Sequence, residues 1–208
     1  MVIDPGLLWL SFVGTPGDDR AWAVKVGPGG DVFVAGSSSS LDFIVPPEGC
    51  LGVSGDASGG TNALIVRLDA SGLLLSVAIL GGAMDEEATS LKVDPQWGVS
   101  VCGYTSSDDF PSTNGTSYAG GSTGYAFPGD GFVARLSLDL CELRYSTCLG
   151  GAGSDCMSDL DGNARGEIVV LGYTSSRDFP ATPGAFQEKY QGGSYDATLS
   201  VLDPSRGP

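Results

Sequence analysis

The chain has 208 residues, 33 of them glycine, and its 25 acidic and 10 basic side chains give a formal net charge of −15. Phosphate binding needs clustered Lys and Arg, so the composition argues against nucleic acid as a partner. Histidine is absent, which removes the usual general base and zinc ligand, and we therefore predict no enzyme. No run of about twenty apolar residues occurs, so no membrane span is predicted.

The first predicted repeat unit, residues 1–72, opens with an apolar strand in which Leu8, Leu10 and Phe12 alternate with other residues. The segment up to Phe12 has no basic region ahead of its apolar stretch and is a poor signal peptide. A short acidic turn at Asp18 and Asp19 follows. Apolar residues on alternate positions then predict further strands. The predicted strands of this unit lie at residues 8–14, 21–26, 31–36 and 64–68.

The second and third predicted units, residues 73–140 and 141–208, repeat this order. Each opens with an apolar run that ends in Gly-Gly, and each continues with an acidic turn, at Asp85 and Glu86 or at Asp155. Asp-Pro followed by glycine ahead of a β-branched run predicts a hairpin in the second unit. The strands predicted here lie at residues 74–80, 88–93, 99–103, 132–136, 144–149, 167–172 and 198–202.

One motif marks all three units. It reads Gly-Tyr-Thr-Ser-Ser-Asp-Asp-Phe-Pro at residues 103–111 and recurs at residues 172–180 with one change. A more divergent copy occurs at residues 36–43. The copies are 67 and 69 residues apart, a period typical of stacked β units. Four short antiparallel strands per unit is the layout of a propeller blade. The predicted fold is all-β, with three four-stranded antiparallel propeller-type blades.

Nearly the whole chain resembles a known family, most specifically in the third unit. Tyr-Ser-Thr-Cys-Leu-Gly-Gly at residues 145–151, the motif at residues 172–180 and Thr-Pro-Gly-Ala-Phe-Gln at residues 182–187 are similar to the bacterial β-propeller repeat called SBBP. The first unit departs from this pattern, with Thr15 in place of the second glycine. The resemblance implies extracellular or cell-surface proteins and supplies no catalytic residues.

The functional hypothesis is based on the strands at the two ends of the chain. Closed propellers usually have four to eight blades, so three blades should not close on themselves. The first strand has no upstream hairpin partner, and the last, with Leu199 and Val201, has no downstream one. We therefore expect self-association by head-to-tail strand pairing, into a filament or a closed ring. The alternative is a binding module for glycan, protein or calcium, cut from a larger secreted propeller.

The acidic residues give two hypotheses. The acidic turns could bind calcium through carboxylates and loop carbonyls, or could simply shape turns. No other cofactor is predicted. The recurrent aspartate beside phenylalanine, as in Asp109-Phe110 and Asp178-Phe179, predicts a repeated Asx turn with the ring packed between blades. The calcium candidates are Asp18, Asp19, Asp85, Glu86 and Asp155.

Cysteines and loops give the remaining candidates. One disulfide in an oxidising compartment is predicted among three cysteines that are close in sequence, Cys141, Cys148 and Cys156. Cys102 is predicted to be a small buried residue. Asn114 begins a glycosylation sequon. Loop aromatics could hold carbohydrate or protein, or could fold back onto the blade. These aromatics are Tyr118, Tyr125, Phe127, Tyr190 and Tyr195.

Overall fold

A computed structural model describes residues 6–45, 48–113 and 129–206, and within them the chain is all-β, as predicted. The helical structure in these ranges is the 3₁₀ turn Pro28–Gly30, and no helix there is long and apolar enough to cross a membrane. The strands are β1 (Asp19–Val26), β2 (Val32–Ser38), β3 (Leu51–Ser54), β4 (Asn62–Leu68), β5 (Leu74–Leu80), β6 (Glu86–Asp94), β7 (Gly98–Thr105), β8 (Asp130–Leu136), β9 (Leu143–Leu149), β10 (Asp155–Gly162), β11 (Ile168–Thr174) and β12 (Asp196–Leu202).

The hairpin turns follow from local chemistry. Between β4 and β5, the Asp69 carboxylate accepts hydrogen bonds from the backbone N–H groups of Ser71 and Leu73 at 2.8 and 2.9 Å. Gly72 then takes a φ of 88°, and Gly98 takes 97° at the turn predicted between β6 and β7. Glycine adopts this left-handed region without the steric cost that a Cβ imposes. The polar clusters between apolar runs therefore mark the hairpins correctly.

The strands form three sheets, and none is closed. The first has the order β1-β2-β4-β5-β3, the second β6-β7-β8-β9 and the third β10-β11-β12. All neighbours are antiparallel except β3, which runs parallel to β5. With five, four and three strands, the sheets match the predicted four-stranded blade only in the second case.

The sheets are offset by one strand from the sequence units. β5 opens the second predicted unit, yet it pairs with β4 of the first; β9 likewise opens the third unit and pairs with β8. The third sheet has no such added strand among the described residues. The strand predicted at residues 8–14 is not formed, and β3 has no counterpart in the prediction. The first and second sheets are thus completed by the strand that begins the following unit.

The sheets pack face to face in chain order. β6 contacts β1, β2 and β4 of the first sheet, and β10 contacts β6, β7 and β8 of the second. We call these two interfaces the first and second junctions. Both are lined by buried apolar side chains, which provide the main stabilisation of such packing. The first junction includes Ala35, Ile65, Leu80, Leu91, Val99 and Val101, and the second includes Cys102, Val133, Leu149, Leu160, Ile168 and Val170.

Candidate functional site

The acidic turns and the repeated serine motif bind each other. Glu86 is fully buried, and its carboxylate accepts hydrogen bonds from the backbone N–H of Gly82 at 2.9 Å, the Thr105 hydroxyl at 2.8 Å and the Ser107 hydroxyl at 2.5 Å. Burial raises the pKa of Glu86, while these three donors oppose the rise. We call this set of contacts the bracket, because it ties the start of one strand to the end of another.

The third sheet repeats the bracket. The Asp155 carboxylate accepts hydrogen bonds from the backbone N–H of Gly151 at 2.9 Å and the Ser176 hydroxyl at 2.7 Å. A Cβ built on Gly151 would lie 2.7 Å from the Cβ of Ser176, so only glycine fits there. In the first sheet Thr15 stands at this position. Its backbone N–H donates to Asp19 as that of Gly151 does to Asp155, and its own hydroxyl donates to Asp19 in place of the serine hydroxyl. The Gly-Gly pairs and the second serine of the motif are therefore structural partners.

The predicted Asx turn at the motif aspartates is wrong. Asp109 accepts its hydrogen bond from the backbone N–H of Ala83 at 2.9 Å, and Asp178 does so from Ala152 at 2.9 Å. Pro111 lies two residues after Asp109 and has no N–H to offer an Asx turn. The packing of the ring is confirmed for Phe110, which lies in the first junction with its ring centroid 4.7 Å from that of Phe132.

The calcium candidates do not come together. They lie at three separate turns, and two of the carboxylates bind backbone groups nearby: Asp19 accepts from the N–H of Thr15 at 2.6 Å, and Asp85 from that of Thr61 at 2.9 Å. Asp18 is exposed, and its own N–H donates to the Ser39 hydroxyl at 2.7 Å. Across the described ranges, no three Asp, Glu, Cys or His residues are grouped to hold a metal ion.

Asp130 is a buried carboxyl group that the sequence did not single out. It begins β8, is 6% exposed, and its Oδ1 has no hydrogen-bond partner among the described residues. Burial first, and then the negative charge of Asp155, raise the pKa of Asp130 to about 7. Asn62 occupies the equivalent place at the start of β4, where it carries no charge. A carboxyl group at this position therefore has a cost that an amide avoids.

The structure separates the three cysteines predicted to form a disulfide, and all five cysteines are free. Cys141 is exposed in the turn before β9, whereas Cys148 is buried in β9 at the first junction and Cys156 is buried in β10 of the next sheet. Cys141 and Cys148 are joined by extended chain, which separates them by about 20 Å at 3.3 Å per residue. Cys102 is fully buried, as predicted.

The outer face of the first sheet exposes residues that are buried elsewhere. Val24 in β1 occupies the same repeat position as Leu91 in β6 and Leu160 in β10. Leu91 and Leu160 are buried in the first and second junctions, whereas Val24 is 60% exposed. Val26 is exposed on the same strand. At β1 the first sheet therefore carries an exposed receiving half of a junction, whereas toward β4 the same face is covered, since Val66 is buried in a cluster against which Val13, Phe43 and Val45 pack.

The outer face of the third sheet exposes the complementary half. Leu199 in β12 corresponds to Ile65 in β4 and Val133 in β8, both fully buried, yet it is 74% exposed. Its cross-strand partner Leu171 and the nearby Val201 are also exposed. This face therefore matches the face that the first and second sheets present to the sheets that follow them.

The strand edges show the same incompleteness. β12 pairs with β11 on one side, and its other side has no strand partner among the described residues. Residues 7–15 form no strand: Leu8 and Phe12 are both 94% exposed, and Leu10 is exposed as well. The Trp9 indole donates to the carbonyl oxygen of Ala70 at 3.2 Å, which holds the segment beside the β4–β5 turn. An open edge and an unpaired apolar segment thus lie at opposite ends.

The other candidate residues fall mainly outside the described ranges. Asn114, Tyr118, Tyr125 and Phe127 lie there. Of the remaining loop aromatics, Tyr195 is exposed and lies edge-on to the ring of Tyr173 at 5.1 Å, and the Tyr190 hydroxyl donates to the carbonyl oxygen of Gly193 at 2.9 Å.

Among known proteins, the chain resembles part of a bacterial regulatory protein. No family model matches the chain. The chain is similar to the regulatory protein FlaEY of Caulobacter vibrioides, with 30% identity over 202 residues. The match covers 92% of this chain and 20% of that protein, so the chain spans about a fifth of the length of its relative. The aligned part includes nearly all of the three sheets described above.

Proposed function

We propose that this chain is an extracellular or cell-surface structural protein built of β-propeller-type repeats, whose copies join head to tail by strand pairing. The observation that carries the proposal is the mismatch in exposure at equivalent positions. Leu199 and Val24 are exposed at the two ends, while their repeat equivalents are buried inside both junctions. We call the exposed Val24 face and the exposed Leu199 face half-junctions. When each copy binds the next through these two different faces, the copies form an open filament, or a closed ring if the rotation from one copy to the next returns to the first.

The proposed joint has a defined register. Ala63 pairs with Leu80 and Gly131 pairs with Leu149, each leucine standing directly before Gly-Gly. Val13 holds that place in the first unit, so in the joint it lies opposite Ala197 of the preceding copy. Counting along antiparallel strands then places Ser11 opposite Leu199. Residues 8–13 would thereby become the fourth strand of the third sheet, and Val24 would meet Leu171 and Leu199 across a third junction.

Measurement of molecular size as a function of concentration tests the proposal. We expect the wild-type chain to form species larger than 21.1 kDa and Leu199→Lys to remain a monomer, because a buried lysine charge would have no partner in the joint. Phe186→Lys is the control: Phe186 is an exposed apolar residue like Leu199, but it lies in the loop between β11 and β12. A wild-type chain that stays monomeric at high concentration contradicts self-assembly.

A second candidate is a binding module within a longer repeat protein, where the half-junctions would meet neighbouring repeats of the same polypeptide. The length of the relative favours it, since the match occupies only a fifth of that protein. Two copies of the chain fused in tandem distinguish the candidates. Burial of Leu199 in the first copy of the fused protein, together with no association of separate chains, would support the module within a longer repeat protein.

A further inference from the structure

Two cysteines that are far apart in sequence lie on neighbouring segments at the edge between the first and second sheets. Cys50 lies directly before β3, and its carbonyl oxygen accepts a hydrogen bond from the backbone N–H of Val77 in β5 at 2.8 Å. This bond fixes the backbone of Cys50 against the first sheet. Cys141 belongs to the second sheet, in the turn between β8 and β9.

Backbone geometry brings the two segments together. A Cβ built on Gly52 would lie 3.0 Å from the carbonyl oxygen of Leu140, so β3 runs directly against the β8–β9 turn. Leu140 anchors that turn: its side chain is buried in the first junction and its φ is 63°. Burial first, and then the neighbouring Cys50 thiol, raise the pKa of Cys141. Of the five cysteines, Cys50 is half-buried and Cys141 exposed, whereas the other three are buried.

We propose that Cys50 and Cys141 form a reversible disulfide. This bond would link the β3 segment of the first sheet to the β8–β9 turn of the second sheet. The oxidant is a small external disulfide such as oxidised glutathione. One cysteine thiolate attacks it, forms a mixed disulfide and releases a glutathione thiolate; the second cysteine then displaces the other glutathione. The protein loses two protons and two electrons, and the oxidant gains the electrons as two thiols.

This disulfide would hold together the two sheets that form the first junction. β3 is only four residues long, and its one strand neighbour in the first sheet is β5. A covalent link between Cys50 and Cys141 closes a long loop across the two sheets and restricts their separation. Reduction would leave β3 held by the β5 pairing alone. The oxidised chain should therefore resist unfolding better than the reduced chain.

Peptide mapping of the folded, full-length chain after incubation with oxidised glutathione tests the proposal. Trypsin cleavage after Lys and Arg separates the cysteines well: residues 26–67 contain only Cys50, and residues 136–144 contain only Cys141. We expect these two peptides linked within one chain of monomer mass, and Cys148→Ser to leave that link unchanged. Cys50→Ser should replace it with a glutathione adduct on Cys141.

Three outcomes would overturn the proposal. The first is a wild-type chain that carries glutathione on Cys141 with no link to residues 26–67. The second is a Cys50–Cys141 link found only between two chains, which gel electrophoresis without reductant would reveal. The third is full alkylation of both thiols by iodoacetamide after equilibration with the oxidant. Circular dichroism of the serine variants checks that they fold, so that loss of the link is not read from an unfolded chain.

Discussion

A single hydroxyl group completes the bracket in the second sheet. Ser107 donates to the buried Glu86 carboxylate and accepts from the backbone N–H of Met84 at 2.8 Å. Ser107→Ala leaves both groups short of a partner, so we expect a loss of about 1–3 kcal/mol of unfolding free energy. Ser106→Ala, in the same motif, is the control and should change stability by less than about 0.5 kcal/mol. Equal losses in urea unfolding would show that the bracket is not the cause.

The buried carboxyl group of Asp130 makes stability depend on pH. Its pKa is about 7 when folded and 3.8 ordinarily, so the folded chain keeps this proton over a range where the unfolded chain has lost it. Stability should therefore fall as the pH rises from about 4 to about 7 and stay low above that. Asp130→Asn removes this dependence, and we expect a gain of about 1–3 kcal/mol at pH 8.

Urea unfolding of Asp130→Asn at pH 4, 6 and 8 checks this prediction. The equivalent Asn62 is buried in the first sheet, where its side-chain N–H donates to the carbonyl oxygen of Ala57 at 3.4 Å, so the amide should be accommodated. The exposed Asp42 offers the matched control, because Asp42→Asn removes one negative charge without relieving a buried one. If both variants gain the same stability at pH 8, the effect comes from net charge and not from burial of Asp130.

At the level of strands, the sequence predicted most of the fold because apolar alternation and turn residues are local signals. β4, β5 and β9 lie within two residues of their predicted bounds. β3 was missed since it is short and pairs in parallel with a strand more than twenty residues away. The predicted strand at residues 8–14 failed for a related reason: its residues favour a strand, but no partner edge is available to it within the described structure.

Long-range contacts explain what the site prediction missed. Proximity in sequence favoured a disulfide among Cys141, Cys148 and Cys156, yet extended strands carry neighbouring residues apart. The segment of Cys50 reaches the turn that holds Cys141, 91 residues away, through β3, a strand that no local pattern indicates. The acidic turns were recognised as repeated, but their hydroxyl partners lie at the end of another strand of the same sheet or just beyond it. A comparison of the acidic turns with the equally periodic serines could have suggested that pairing.

The proposed register can be tested strand against strand. The pairing of Ser11 with Leu199 of the preceding copy predicts that the double variant Ser11→Cys, Leu199→Cys, in a Cys141→Ser background, forms a ladder of disulfide-linked oligomers. Leu10→Cys with Leu199→Cys is the control, because adjacent residues of a strand point to opposite faces. A ladder of equal strength from both pairs on a non-reducing gel would contradict the register.

At the level of the whole molecule, the apolar ends and the net charge act against each other. Burial of the exposed Val24 and Leu199 faces lowers the free energy of the assembly, roughly in proportion to the apolar area removed from water. Every copy also carries a formal charge of −15, so copies that approach end to end repel one another. The balance between these two terms should set the length of any assembly.

This balance predicts that salt promotes assembly. Raising NaCl from about 0.01 M to about 1 M shortens the Debye length from about 30 Å to about 3 Å, which screens the repulsion between copies and leaves apolar burial in place. We expect sedimentation velocity to show a rising fraction of oligomers at constant protein concentration, and Leu199→Lys to stay monomeric throughout. An assembly held mainly by ion pairs would show the reverse trend, since salt weakens exposed ion pairs. Dissociation at high salt would therefore contradict an apolar joint between Leu199 and the Val24 face.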